Sequence, residues 1–348
     1  MYQFRNDYSY GAPREVLDAL CSCADTPYPG YGQDELCARA AEMIRTLCRA
    51  PRAAVEFCMG GTQTNALAVS AFLRPWEGVI SPVTGHINGH EVGAVEAGGN
   101  KILPVQIGPD GKLTPALLEP VVTEHQDLHL VKPALVYISQ ATETGTVYTK
   151  TELTSLSWFC RENGLKLFMD GARLGAALTS PACGGMTLPD IASLCDAFTI
   201  GGTKNGALFG EALVLCDKGV QKDFFRLKKQ RGAVLAKGFL LGAQFEALFR
   251  DGLYWRLAEH ANTQAVRLQD GLLELGIPLL NKSDTNQIFP IVPDSWLPAL
   301  KEQVAFETWG KADAGYTVVR FVTCFATRPE DVDGLLSVLS HLLCAERS

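Results

Sequence analysis

The chain has 348 residues, 47% hydrophobic and 20% charged, the composition of a folded protein large enough for one big domain and a smaller one. Its formal net charge of -7 is scattered and shows no basic cluster, which excludes an electrostatic footprint for nucleic acid or an anionic membrane and points to small-molecule chemistry. Eleven cysteines, an odd number without a C-x-x-C pair and partly in apolar stretches such as Val55 to Met59, read as buried thiols rather than a disulfide framework. Met1 to Gly11 is charged and carries no apolar run, and no later segment approaches the ~20 apolar residues of a membrane span, so a cytoplasmic location is expected.

In chain order, apolar runs of strand length fall at Ala53 to Met59, Gly78 to Ser81, Lys101 to Val105, Ala134 to Ser139, Leu165 to Met169, Ala197 to Ile200 and Ala212 to Leu215. Helical spacing fills several of the gaps, as at Thr64 to Leu73 and Thr151 to Asn163. This alternation predicts an α/β fold, a mostly parallel sheet covered by helices. From Leu240 the pattern turns to long helical periodicity through Leu275, then strands at Gln287 to Val292 and Thr317 to Thr323, and a last helix. Thr327 and Glu330 have capping-box spacing at its start, with Pro329 in the first turn. The expected division is a large domain over 1–240, including the N-terminal segment, and a smaller α+β domain over 241–348.

Three segments carry chemistry. Cys58 to Asn65, CMGGTQTN, leads a strand through two glycines into a helix start, where free N–H groups and the helix dipole suit a phosphate; it is neither a Walker motif nor a G-x-G-x-x-G, and a bare strand-to-helix turn is the alternative. Leu165 to Ala172, LKLFMDGA, ends an apolar strand in Asp170, with Arg173 close behind; an ordinary Asp-Gly turn is the plain alternative. Phe198 to Gly206, FTIGGTKNG, displays Lys204 at a strand's C-terminal end, where α/β sheets place ligands, although for this motif alone a solvated loop lysine is the favoured reading. An amine attacks a carbonyl only when deprotonated, so a nucleophilic lysine needs a pocket that lowers its pKa or a cofactor that captures it as the imine.

In this order and spacing the segments resemble the threonine aldolase and β-eliminating lyase group of fold-type I pyridoxal-phosphate enzymes, with the low-specificity L-threonine aldolases nearest. The likeness covers nearly the whole chain: FRNDYSYGAP near the start, GYGQDE at Gly30 to Glu35, GGTQTN at Gly60 to Asn65, TGHINGHEVGAVEAGG at Thr84 to Gly99, LFMDGARLG at Leu167 to Gly175, GGTKNGALFGEA at Gly201 to Ala212 and VVRFVT at Val318 to Thr323. The resemblance implies a fold-type I transferase-like large domain, pyridoxal 5'-phosphate (PLP) as cofactor, Lys204 as its imine-forming lysine, Asp170 as partner of the ring nitrogen, and His86 stacked on the ring. Gly61, Thr62 and Gln63 match the phosphate loop, to which Thr203 adds a hydroxyl. Arg173 and Arg320 match arginines that hold the cofactor's phenolic oxygen or a substrate carboxylate. Tyr31 matches a pocket tyrosine supplied by a neighbouring subunit, and His129 a further pocket histidine. Asn6 stands where many relatives have serine beside the aspartate that is here Asp7.

The activity implied is retro-aldol cleavage of a β-hydroxy-α-amino acid to glycine and an aldehyde, by a homodimer or homotetramer. β-Elimination and transamination on the same cofactor residues are the rivals within the group, because a fold does not fix a reaction. A non-catalytic α/β binding protein is the rival outside it, and intact Lys204, Asp170 and Arg320 argue against that.

Overall fold

In the computed structural model, which describes residues 1–108 and 110–346, seven apolar segments lie side by side in one sheet. They are β1 (Ala54–Cys58), β2 (Glu77–Pro82), β3 (Lys101–Val105), β4 (Lys132–Ser139), β5 (Lys166–Asp170), β6 (Ala197–Gly201) and β7 (Glu211–Leu215). Their spatial order is β1-β7-β6-β5-β4-β2-β3, all parallel except β7, which runs antiparallel to both neighbours. Strands buried on both faces need apolar residues at successive positions. In β4 the side chains accordingly alternate between two cores: Leu135 and Tyr137 join one apolar cluster, Val136 and Ile138 the other.

This topology brings the C-terminal ends of six strands, and the first residue of β7, to one edge of the sheet. Two glycines let that edge close up. A Cβ on Gly171 would sit 1.8 Å from the Thr199 carbonyl oxygen, and one on Gly201 would sit 2.3 Å from the Ala172 carbonyl oxygen. The chain after Asp170 therefore presses directly against the end of β6, and the Gly201 N–H donates to the Gly171 carbonyl at 2.9 Å.

The second sheet is built around β11 (Tyr316–Val322), flanked antiparallel by β9 (Ile291–Pro293) and β10 (Glu307–Asp313), with β8 (Gln287–Ile288) pairing at its far end. The strand expected over Gln287 to Val292 is thus two short ones. The long helical stretch is also two helices, Phe239–Phe249 and Leu253–Glu274, broken where Asp251 and Gly252 take φ of 52° and 70°. The second helix gives Tyr254 to the large core and Leu268 and Leu272 to the small one. Strand β10 has no counterpart in the sequence reading, because most of its side chains are exposed and no apolar alternation marks it.

The last helix, Pro329–Glu346, begins where expected, but the Thr327–Glu330 box does not form. Thr327 Oγ1 instead accepts from the Cys324 N–H at 2.9 Å, and the carboxylate that reaches back is Asp331, accepting from the Arg328 N–H at 3.1 Å. With Pro329 filling the first helical position, Arg328 is the residue whose N–H needs a partner, and Asp331 lies three residues on.

The N-terminal segment joins the smaller core. Tyr2–Gln3 pairs in parallel with Val304–Ala305, and Phe4 is fully buried with its ring centroid 6.1 Å from that of Phe321. Phe4→Ala should therefore cost about 3–5 kcal/mol, the usual range for a buried phenylalanine, read as an earlier urea transition in the fluorescence of buried Trp296. An unchanged midpoint would show that the segment is not part of that core.

Candidate active site

At the C-terminal end of β5, the Asp170 carboxylate is buried and accepts three hydrogen bonds. Its Oδ2 receives the Asn65 amide and the Tyr137 hydroxyl, each at 2.8 Å, and its Oδ1 receives the Ala172 N–H at 2.9 Å. Donors of this kind keep the group in one orientation. Asn65 lies in the helix Gly61–Phe72, and its amide nitrogen also donates to Glu91 Oε1 at 2.8 Å. Neither Asn65, Tyr137 nor Glu91 was singled out from sequence; a polar residue interrupting an apolar run, as Tyr137 does in ALVYIS, was the available signal.

Lys204 sits on the short turn Thr203–Asn205 that follows β6. Burial draws its amine below the usual 10.5, and the charge of Arg173 adds to that, against the opposing pull of Asp7, Asp170 and Glu211. Glu211, the first residue of β7, accepts from the Gly202 N–H at 3.0 Å, and burial lifts its carboxyl to about 7. The lowered amine is what a nucleophilic lysine requires.

The helix Gly61–Phe72 starts from Gly60 with no side chain capping it, so its first N–H groups face the cavity beside Gly61 and Thr62. Gln63 behaves differently from the expectation: its side chain folds back, with Oε1 accepting from the Met59 N–H at 3.1 Å, and it does not line the cavity. Thr203 does line it, with its Oγ1 accepting from the Gly210 N–H at 3.0 Å.

Two arginines face this edge. Arg173 holds Asp7 through Nε at 2.7 Å and Nη2 at 3.1 Å, and Asn286 donates to the same carboxylate at 2.9 Å. Burial works to raise the Asp7 carboxyl, but the charges of Arg173 and Lys204 outweigh it and the net displacement is downward. Arg320, in the middle of β11, forms an ion pair through Nη2 with Glu307, with Nη1 at 3.5 Å from Gln287 Oε1 and its guanidinium 5.5 Å from the Trp309 ring centroid, so a structural pairing is present here beside any role toward a ligand. Its Nε is buried without a partner. Trp309 reaches the cavity from a β-bulge, since Thr308 pairs with Val319 and Gly310 with Val318, leaving Trp309 as the extra residue.

His86 opens a short helix after β2. Its Nδ1 lies 2.8 Å from Glu91 Oε1, and its backbone N–H donates to Glu143 Oε1 at 3.0 Å. A second histidine, His90, also lines the cavity, its ring centroid 5.6 Å from that of His86; burial, then the charges of His86 and Arg320, lower its pKa and hold it neutral.

The resulting cavity, about 650 Å³, brings together Gly61, Thr62, His86, Asp170, Arg173, Thr203, Lys204 and Arg320. His129 is corrected: it is exposed on a turn where its N–H donates to Asp127 Oδ1 at 2.9 Å, and it does not line the cavity, because local Asx-turn chemistry fixes it elsewhere. Tyr31 is also outside this cavity; it borders a separate one of about 400 Å³, with Lys229 Nζ 4.3 Å from its ring centroid. Among the described residues no group of three or more His, Cys, Asp or Glu side chains could hold a metal ion. An uncapped helix start, an amine with lowered pKa, an oriented carboxylate and an unpartnered guanidinium nitrogen together fit a phosphorylated ring carbonyl and an amino-acid carboxylate.

Comparison with known proteins gives the same direction. The family model of the beta-eliminating lyases matches residues 4–295. A low specificity L-threonine aldolase of Pseudomonas sp. (strain NCIMB 10558) is 35% identical over 304 residues, 86% of this chain and 87% of that one. Among solved structures, a threonine aldolase of Leishmania major superposes with a TM-score of 0.96 at 45% identity, covering 99% of this chain and 100% of that one. An aromatic aminotransferase of Pyrococcus horikoshii, at TM-score 0.75 and 17% identity over 99% of this chain and 96% of that one, shares the fold alone.

The lowered Lys204 amine has a direct consequence. In the protein stripped of small molecules, trinitrobenzenesulfonate should modify Lys204 at lower pH than exposed Lys101, since only the neutral amine attacks and its midpoint lies below 10.5. Peptide mass spectrometry across about pH 7–11 measures this. Identical profiles for the two lysines would remove the argument that the cavity activates Lys204.

Proposed function

This chain belongs to the beta-eliminating lyase family, and from that premise we propose that it is a PLP-dependent threonine aldolase, splitting a β-hydroxy-α-amino acid into glycine and an aldehyde. The observation that carries the reading is the full-length match to a threonine aldolase, with Lys204, Asp170, His86 and Arg320 facing one cavity.

The N–H groups at Gly61 and Thr62 would hold the phosphate of PLP, Lys204 would be its point of attachment, and Asp170 would keep a proton on the ring nitrogen. PLP supplies an electron-accepting ring for the pair released when a bond at Cα breaks. Arg320, whose Nη2 is already held by Glu307, would bind the amino-acid carboxylate with its cavity-facing edge and so fix the orientation of the bonds at Cα. Arg173, with two donors committed to Asp7, presents its remaining edge to the cavity. His86 accepts the β-hydroxyl proton. Aldol cleavage needs that single acceptor, whereas elimination must also protonate a poor leaving group, and the neutral His90 favours the former.

The protein works in the cytoplasm as at least a homodimer, and a tetramer of paired dimers is the form the family likeness favours. Eight of its eleven cysteines are buried, with burial lifting Cys37, Cys48 and Cys160 to about 12, which suits a reducing compartment. No helix among the described residues is long and apolar enough to cross a membrane. The family likeness assigns Tyr31, about half exposed with φ of 65°, to a neighbouring subunit's site. A monomer isolated by sedimentation should therefore lack full activity, and a fully active one would refute a shared site.

With threonine the products should be glycine and acetaldehyde; 2-oxobutyrate and ammonia without glycine would mean elimination. Asp170→Asn should retain PLP but lose turnover by about 10²-fold or more. Arg320→Lys should raise KM about 10- to 100-fold, the worth of a charge-assisted hydrogen bond of about 1.5–3 kcal/mol. An unchanged KM in that variant would reassign Arg320 to structure.

A further inference from the structure

His86 is held at two points by carboxylates. Glu91 Oε1 lies 2.8 Å from its ring Nδ1, and Glu143 Oε1 accepts its backbone N–H at 3.0 Å. The Glu91 side chain has 0% exposure, and among the described residues its ion-pair partner is His86. Its Oε1 also receives the Asn65 amide at 2.8 Å, while its Oε2 is buried without a partner. From Asn65 the contacts continue to Asp170 and Tyr137, then to Ser139, whose Oγ lies 3.2 Å from the Tyr137 hydroxyl and 2.6 Å from Glu143. The path closes on His86 itself.

Such a loop restricts where hydrogens can sit. Asn65 gives its two amide hydrogens to Glu91 and Asp170, so both oxygens it meets are acceptors. Glu91 meets the imidazole with the same Oε1 that accepts the Asn65 hydrogen, so the hydrogen between Glu91 and the imidazole belongs to Nδ1, and Nε2 is left with its lone pair.

We propose that Glu91 is a positioning residue that holds His86 as the Nδ1–H tautomer, leaving Nε2 as the acceptor of the substrate's β-hydroxyl proton. Asn65 ties this choice to Asp170, so the proton acceptor and the carboxylate beneath the cofactor's ring nitrogen are oriented by one amide. The catalytic half rests on the aldolase reading; the tautomer half does not.

The test uses the cofactor-free protein labelled with ¹⁵N-histidine, on the alkaline side where imidazole is neutral, with His86 assigned by its missing signals in His86→Asn. The unaltered protein should show a pyrrole-type Nδ1 and a pyridine-type Nε2. Glu91→Gln, close in shape and able both to donate and to accept, should give a mixture of tautomers; Glu91→Asp should keep the original one. In the holoenzyme, Glu91→Gln should lower kcat for glycine formation from threonine about 10- to 100-fold, by analogy with groups that orient a functional histidine. KM and PLP affinity should stay within about threefold, the spread expected for context effects, and Glu91→Asp should recover part of the loss. A pyridine-type Nδ1 in the unaltered protein, or an unmixed tautomer in Glu91→Gln, overturns the tautomer assignment. A shifted tautomer with unchanged kcat overturns the catalytic half and passes the proton-acceptor role to His90. If the unaltered protein makes no glycine from threonine, the aldolase reading and that half fall together, while the nitrogen shifts still decide the tautomer.

Discussion

A carboxylate buried at the end of a strand has to be met by donors, and satisfying Asp170 organises most of this site. Its three hydrogen bonds come from three separate elements: the helix Gly61–Phe72 through Asn65, strand β4 through Tyr137, and the turn beyond β5 through Ala172. An unmet buried carboxylate would cost several kcal/mol. The helix is thereby held with its uncapped start next to Asp170, so the same contact that stabilises the acid also places the free N–H groups suited to a phosphate. Gly171 and Gly201 make this possible, since any side chain at either position would push β5 and β6 apart at the edge where Asp170 and Lys204 must meet.

Charge balance around Lys204 follows from that arrangement. Burial and Arg173 lower the lysine, yet Asp7, Asp170 and Glu211 surround it, and Arg173 is itself neutralised by Asp7. Burial displaces Glu211 upward to about 7 and displaces the amine downward, so the two groups are shifted toward one another. A lysine that has to be neutral when it attacks and positively charged when it is released benefits from a neighbour of this kind.

Legibility in the sequence followed the physics of each signal. The seven main strands were visible because a mostly buried sheet demands apolar runs, and β3 matches its expected span at both ends although Lys101 and Pro104 are exposed at the sheet edge. Asp170, Lys204 and the Gly60–Gly61 turn were visible because polar or glycine residues end those runs abruptly. Glu91, Asn65 and Glu143 were not, since spacing does not show which side chains the fold brings together: Asn65 reaches Asp170 across 105 residues and Glu143 reaches His86 across 57. His129 was misplaced by likeness without local support: an Asp127 side chain two residues before it decides its position. The capping box was misread because two competing acids follow Thr327, and spacing alone does not say which reaches back. Strand β10 escaped because it is held by pairing to β11 rather than by its own burial.

The smaller domain matters to the site mainly through Arg320. A guanidinium in the middle of a strand, with Nε buried and unpartnered, lowers the stability of the ligand-free fold by roughly 1–3 kcal/mol relative to a satisfied group. That cost is tolerated because the surrounding core is large: Phe4, Val292, Val319 and Phe321 are fully or almost fully buried around the strand that carries it. The N-terminal segment couples the two domains: Phe4 anchors it in the small core and Asp7, three residues on, grips Arg173 in the large one. Through that short stretch the position of Arg320 relative to Lys204 is set by packing in both cores rather than in the cavity alone.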